Sequence, residues 1–441
     1  MTTRVKPQNP KGTRDFLPQE VAKRNFIFNT IKSVFRKYGF QEIETPAIER
    51  LETLTGKYGD EGDKLLFKIL NSGDYFKDVP ADAMGNAQLA TKYLAEKGLR
   101  YDLTVPLARY VVQHQDDIVF PFKRFHIGPV WRADRPQKGR YQEFYQCDAD
   151  IIGSTSLINE VELTMIYAEV FEKLGMDVTI KVNNRKLIDA ILNDIGITDR
   201  KAEIIATIDK ADKIEWSGVA SLLYEFNLSV DQVDKLYGLL YNQPYFQYKE
   251  QFVSVGEEID FIMSNFNTNI KVVFNASLMR GLDYYTGTIW EVTANGVQMG
   301  SIGGGGRYDN LTEMFGGQNM SGVGISFGIE RIYDVMDELN LFPNNITQGV
   351  TVLLVPRDAA VEDYAFGLTQ QLRQAGISAE IFLGNVKKQK HFTYAETKNI
   401  KYMVEVGANE KESGNLRLRN VTERKEEGNG FTIEQLIPYL V

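Results

Sequence analysis

Arg280-Gly-Leu-Asp-Tyr-Tyr-Thr-Gly287 sets a guanidinium, a carboxylate and two phenols within eight residues. The run before it, Lys271-Val-Val-Phe-Asn-Ala-Ser-Leu278, reads as a β-strand that delivers the cluster at its end. Arginine suits a phosphate, because its planar fork donates paired hydrogen bonds and keeps its charge. Tyrosine and aspartate suit a small polar ring that must be held by both a donor and an acceptor. The cluster therefore reads as a site for a nucleotide beside a small polar molecule. By itself Arg-Gly-Leu-Asp is usually a turn with a surface ion pair, and two distant segments shift the reading toward a site.

The first lies between Lys123 and Asp150. As far as Arg140 it carries Lys123, Arg124, Arg132, Arg135, Lys138 and Arg140 against the single acid Asp134. Pro129-Val-Trp-Arg132 reads as the end of a strand, Asp134 to Gly139 as a basic loop, and Glu143 to Ile152 as the returning strand. Side chains alternate along a strand, so Phe144, Gln146, Asp148 and Asp150 share one face, and Tyr145, Cys147, Ala149 and Ile151 the other. A solvated face would alternate in the same way, but two acids and an amide after a basic loop favour a ligand floor.

The second segment runs from Ser301 to Arg331. Its glycines, in Ser301-Ile-Gly-Gly-Gly-Gly-Arg307-Tyr308-Asp309, fit neither a P-loop nor a dinucleotide fingerprint. They read instead as positions where a ligand or another backbone approaches a strand closely. Gly322 to Gly328 then leads into a helix with Arg331 in its first turns, a region favourable for anions.

Together these segments resemble the histidyl-tRNA synthetases, a class II aminoacyl-tRNA synthetase family, and the resemblance covers nearly the whole chain. Lys11-Gly-Thr-Arg-Asp-Phe-Leu-Pro18 is similar to the family's opening signature, and Phe35 to Pro46 to class II motif 1. Trp131-Arg132 through Phe144 resembles motif 2, and Gly324 to Arg331 motif 3. Arg280 to Tyr285 and Gly305 to Asp309 are similar to two signatures peculiar to the histidine enzymes.

The resemblance implies ATP-dependent formation of histidyl-adenylate and transfer of histidine to the terminal adenosine of tRNA(His), with ATP as substrate accompanied by Mg²⁺. It implies Arg132 and Arg280 on the α-phosphate as catalytic groups, Arg331 on the γ-phosphate and Phe144 stacked on adenine. Asp102, Thr104 and Gln146 fall at the positions that hold the histidine α-ammonium. Asp150 and Tyr285 fall at those that hold the imidazole, with Tyr308 beside them. Asp102, Asp134 and Asp150 stand where relatives often have glutamate, and Gln142 where they often have arginine. Arg135, Lys138 and Gln142 of the motif 2 loop, with Lys387 and Lys388, are the candidate tRNA contacts.

A length of 441 residues suggests about three domains. No apolar run approaches the roughly 20 residues needed to span a bilayer, and the first residues lack an apolar signal core, so the reading is cytoplasmic. One cysteine excludes an intrachain disulfide, and strand parity points Cys147 away from the ligand face. His114, His126 and His391 are too scattered for a metal site and read as structural or surface residues; none is expected to bind metal. A net charge of −9 argues against indiscriminate nucleic-acid binding, while local basic patches leave tRNA open. The patches around Lys387 to His391 and Arg417 to Arg419 fit a solvated face as well.

Residues 20–38 read as an amphipathic helix, with Ile27, Ile31, Val34, Phe35 and Tyr38 on one stripe and Gly39 at its end. By resemblance this helix and the strand after it build a homodimer interface. The chain turns helical from about 183 to 268, breaks at 341–349 and then alternates strand and helix. The expected architecture is an α+β catalytic domain over 1–182 and 269–340, with a mostly antiparallel sheet flanked by helices. A helical insertion is expected over 183–268, and a C-terminal α/β anticodon-binding-type domain over 350–441. The nearest rival is a histidine-binding regulatory subunit of ATP phosphoribosyltransferase, which charges no tRNA. Arg132, Arg280 and Arg331 together, and some ninety residues beyond the linker, argue against it. A pure RNA-binding module gives the polar strand face no purpose.

Overall fold

The computed structural model describes residues 6–441 except 58, 244, 280–284, 311, 344–345, 347–348 and 385–387. The chain divides into two compact units, 1–342 and 343–441.

The first unit is built on an eight-stranded sheet. Its strands run, in spatial order, Gln41–Glu42, Phe122–Trp131, Glu143–Ile152, Gly322–Gly328, Gly303–Tyr308, Thr288–Ala294, Val178–Asn184 and Lys271–Phe274. The inner six pair antiparallel, and each outer strand lies parallel to its neighbour. This is the mostly antiparallel sheet that the sequence implies.

One face of the sheet is core. Cys147, Ala149 and Ile151 sit opposite Phe327, Ile325 and Val323, and all six are buried against the helices Pro18–Lys37, Ile158–Lys173 and Ile329–Glu338. The first of these helices begins with proline at its first turn, and the Glu20 carboxylate accepts the Leu17 N–H at 2.6 Å. Its buried stripe is Ile27, Ile31, Val34 and Phe35, all at 0% exposure, and Gly39 ends it at φ +81°. The other face of the sheet carries the polar residues.

Glycines set how closely the central strands approach one another. A Cβ at Gly305 would stand 2.1 Å from the Gly324 carbonyl oxygen and 2.8 Å from the Ile325 Cα. Backbone atoms cannot rotate aside, so Gly305→Ala is expected to force the two strands apart. The expected cost is about 1–3 kcal/mol or more, read as a lowered denaturation midpoint; an unchanged midpoint would show that the strands yield freely.

Between Val178–Asn184 and Lys271–Phe274 the chain forms a helical layer, from Arg185–Asp194 to Val253–Ser264. It has its own core, which includes Leu187, Ile191, Ile204, Val219, Leu236 and Ile259.

The second unit has a five-stranded sheet in the order Ala379–Ile381, Val352–Pro356, Tyr402–Val406, Leu416–Asn420 and Lys425–Phe431. The first three strands are parallel and the last two are added antiparallel. Glu362–Gln374 and Ile433–Leu440 pack on one face against Leu354, Val404 and Leu418; Lys388–Thr397 packs on the other against Leu353, Val355 and Met403.

Candidate functional site

A cavity of about 250 Å³ lies over the polar face of the first unit's sheet. The strand Glu143–Ile152 runs through its floor. Opposite Gln146, Asp148 and Asp150 stand Gly128, His126 and Arg124 on one side, and Gly328, Ser326 and Gly324 on the other. Small neighbours beside Gln146 and Gly324 beside Asp150 leave room for those side chains. A Cβ at Gly324 would fall 1.9 Å from Asp150 Oδ1.

In the cavity lining Arg132 lies over the Tyr101 ring at 4.2 Å and the Phe144 ring at 5.1 Å, and its Nε donates to the Tyr101 carbonyl at 3.1 Å. Arg331, at the third position of Ile329–Glu338, donates to the carbonyls of Gly139 at 2.7 Å and Ser301 at 2.6 Å. The neighbouring Glu330 carboxylate is bound by Arg24 at 2.7 Å and by the Tyr145 N–H at 2.9 Å. Two guanidiniums and an aromatic face thus line the cavity, which suits a polyphosphate and a planar base.

The same cavity is also rich in acceptors. Asp102, Thr104, Gln146, Asp148 and Tyr285 all line the cavity. Asp102 also caps the helix Thr104–Gln113 by accepting the Val105 N–H at 3.1 Å. Gln146 Nε2 donates to Ser326 Oγ at 2.9 Å, leaving its Oε1 buried and without a hydrogen-bond partner.

Asp150 lies deeper and is absent from the cavity's lining. Its Oδ2 meets Arg124 Nη2 at 2.6 Å, and Oδ1 accepts the Tyr308 hydroxyl. Arg124 is at 0% exposure and Asp150 and Tyr308 at 3%. Burial raises the Asp150 carboxyl, and Arg124 and then the Tyr308 hydroxyl oppose the rise. Burial, with Asp150 beside it, also holds the Tyr308 phenol well above its ordinary range. His126 is driven down to about 3 by burial and by Arg124 and Arg100, so it stays neutral at physiological pH. Of the candidate histidine-binding residues, Asp150 and Tyr308 thus stand behind the cavity wall, and Asp102, Thr104, Gln146 and Tyr285 on it.

Arg135 and Lys138 are exposed on the loop between the two central strands, Lys138 paired with Glu338 at 3.0 Å. Gln142 Nε2 donates to the Asp134 carbonyl at 3.0 Å, and Gln142's backbone ties this loop to Gly12 and Arg132. Lys388 begins a helix of the second unit. Arg280 and Lys387 lie outside the described residues. Cys147 is buried on the core face, where burial holds its thiol well above the ordinary range.

The sequence counted Arg124 only as part of a basic run and gave Asp148 no role. Strand parity puts both on the ligand face, but pairing Arg124 with Asp150 requires the register of two strands joined by an irregular loop.

Known proteins align with this geometry along almost the entire chain. The histidyl-tRNA synthetase family model matches residues 12–75 and 94–332, and an anticodon-binding domain model matches 349–441. A histidine–tRNA ligase from Phocaeicola vulgatus is 49% identical over 435 residues, covering 95% of this chain and 96% of its own. The crystal structure of a histidyl-tRNA synthetase from Nostoc sp. PCC 7120 superposes with a TM-score of 0.82 at 26% identity, covering 99% of each chain. An ATP phosphoribosyltransferase regulatory subunit/histidyl-tRNA synthetase from Bacillus halodurans shares the fold. Its TM-score is 0.74 at 19% identity, over 92% of this chain and 100% of the other.

Proposed function

This chain belongs to the histidyl-tRNA synthetase family, and from that premise we propose how its cleft charges tRNA with histidine. The enzyme joins histidine to ATP as histidyl-adenylate, releasing pyrophosphate, and then passes the histidyl group to the 3′-terminal adenosine of tRNA(His), releasing AMP. Attack of the carboxylate on the α-phosphorus builds negative charge on nonbridging oxygens, and fixed cations there lower the barrier. Arg132 supplies one such cation and Arg280 is assigned the other. Arg331 takes the γ-phosphate, exchanging its present carbonyl partners for it, and Phe144 carries the adenine. Asp102, Thr104 and Gln146 accept the α-ammonium. Tyr285 meets the imidazole, with Asp150 and Tyr308 behind it.

The observation that carries this reading is one cavity lined both by guanidiniums and an aromatic ring and by buried acceptors without partners. Those groups suit a triphosphate nucleotide and an amino acid held in one cleft. Among the described residues no group of three His, Cys, Asp or Glu side chains could hold a metal ion. Mg²⁺ would arrive with the triphosphate, which would supply most of its oxygen ligands and have part of its charge neutralised. No helix among the described residues is long and apolar enough to cross a membrane. A homodimer in the cytosol, with the second unit on the anticodon arm, completes the proposal.

ATP-dependent attachment of labelled histidine to total tRNA by the purified chain tests it. Charging is expected for histidine and no other amino acid. Histidine binding without any charging, on intact tRNA, would overturn the ligase reading in favour of a regulatory histidine sensor.

A further inference from the structure

Among the acceptors that line the cavity is one carboxylate without a role. Asp148 is 3% exposed, lines the cavity, and keeps its Oδ1 buried with no hydrogen-bond partner. A buried carboxylate oxygen left unpaired is costly, and in a native site it points to a ligand that completes it. The two guanidiniums near it, Arg124 and Arg100, act on Asp148 through space but make no hydrogen bond to that oxygen. Arg124 sits at 2.6 Å on Asp150, and Arg100 donates to the carbonyls of Pro129 at 2.8 Å and Thr45 at 2.7 Å. His126, directly across the strand pair, is neutral.

A second open acceptor lies two residues away on the same face. Ser326 Oγ accepts from Gln146 Nε2 at 2.9 Å and stands directly across the strand pair from Asp148. That bond leaves Gln146 Oε1 open, so Gln146 Oε1 and Asp148 Oδ1 are both buried acceptors without donors. A neutral imidazole offers a single N–H. An ammonium offers three and brings a positive charge that can bond Asp148 directly.

We propose that Asp148 reads the substrate: its open oxygen accepts an N–H of the α-ammonium of the bound amino acid, alongside Asp102, Thr104 and Gln146. This rests on the reading that the cleft takes histidine. Asp150, with Arg124 and Tyr308 on its two oxygens, is in this arrangement a positioning residue that holds the floor behind Asp148. The titration of Asp148 agrees with the geometry. Burial and then Asp150 push its carboxyl up to about 7, against Arg124 and Ser326, with Asp102 adding to the rise. An arriving ammonium would return it to the ionised form.

The test compares two ligands by calorimetry on the full chain: L-histidine and imidazole-4-propionate, which is histidine without its amino group. Wild type is expected to prefer histidine, and Asp148→Asn to reduce that preference roughly 10–100-fold while binding of the des-amino ligand changes little. A purely structural role would weaken both ligands alike, and an unchanged preference would overturn the proposal. Should Asp148→Asn fail to fold, the wild-type protein supplies the same information through pH. The groups facing Asp148 are Asp150 on its own strand, Arg124 and His126 across the pair, and Asp102 and Arg100 from the adjoining segment. Protonating Asp148 removes the charge that attracts the ammonium, so the preference should fall as pH is lowered from about 8 to about 6. A flat ratio over that range would overturn the proposal. Failure of wild type to bind histidine at all would instead overturn the functional reading beneath it.

Discussion

Arg132→Ala is expected to lower histidine-dependent pyrophosphate exchange by roughly 10²–10³-fold, the scale of losing one preorganised donor to developing oxyanion charge. The geometry gives the reason. Its guanidinium is held between the Tyr101 ring at 4.2 Å and the Phe144 ring at 5.1 Å, with Nε on the Tyr101 carbonyl at 3.1 Å. One edge of the fork is thereby anchored and its plane is set before substrate arrives, so little reorganisation accompanies the reaction. Lysine would place a charge there without the planar fork or the stacking, so Arg132→Lys should recover only part of the loss. Histidine affinity, measured by calorimetry without ATP, should fall much less than the exchange rate. Near-normal exchange by Arg132→Ala would remove this residue from the α-phosphate.

Arg307→Met should be the most destabilising single change among the described buried ion pairs. Arg307 and Glu160 form a two-pronged pair, Nε to Oε1 at 2.5 Å and Nη2 to Oε2 at 2.7 Å, with 6% and 0% of each residue exposed. Removing the cation strands a fully buried carboxylate, at a cost of about 3–5 kcal/mol. The Arg307 carbonyl also accepts the Thr286 N–H at 2.8 Å, beside Tyr285 in the cavity wall, so activity should fall together with stability. The measurement is convenient, because Trp131, Trp216 and Trp290 are the only tryptophans and all lie in the first unit. Denaturant titration followed by tryptophan emission therefore reports that unit alone. Adding Glu160→Gln to Arg307→Met should restore part of the stability, since the stranded charge goes with it. An Arg307→Met midpoint equal to wild type would show that water reaches Glu160.

Most of the fold could be read from side-chain periodicity. The alternation in Glu143–Ile152 separated core from floor correctly, because a two-residue period leaves no ambiguity once one face is apolar. The stripe Ile27, Ile31, Val34 and Phe35 gave the first helix to within two residues at its start. Local side-chain bonding decided where the reading failed. The strand expected over 271–278 stops at Phe274, since the Asn275 side chain accepts the Ser277 N–H at 2.9 Å and turns the chain. Lys425–Phe431 was not read as a strand at all: its Lys-Glu-Glu-Gly-Asn-Gly sequence lacks β-formers, and Gly428 and Gly430 have positive φ.

The site was legible as a set of residue types and less so as an arrangement. Arg132, Phe144, Gln146 and Arg331 could be named because chemistry and resemblance agree on them. The burial of Asp150 beneath Gly324, its pairing with Arg124, and the open oxygen of Asp148 all depend on register between strands that are far apart in sequence. Composition and spacing carry no information about that register.

The one thiol of the chain has a practical consequence. Cys147 is at 0% exposure on the reverse side of the strand that carries Gln146 and Asp148, and burial holds it protonated. A disulfide reagent can reach it only when that strand leaves its helices. Labelling kinetics on the unmodified protein are thus a clock for opening of the floor, and a slower clock with histidine or ATP present would time how far each substrate tightens the sheet beneath it.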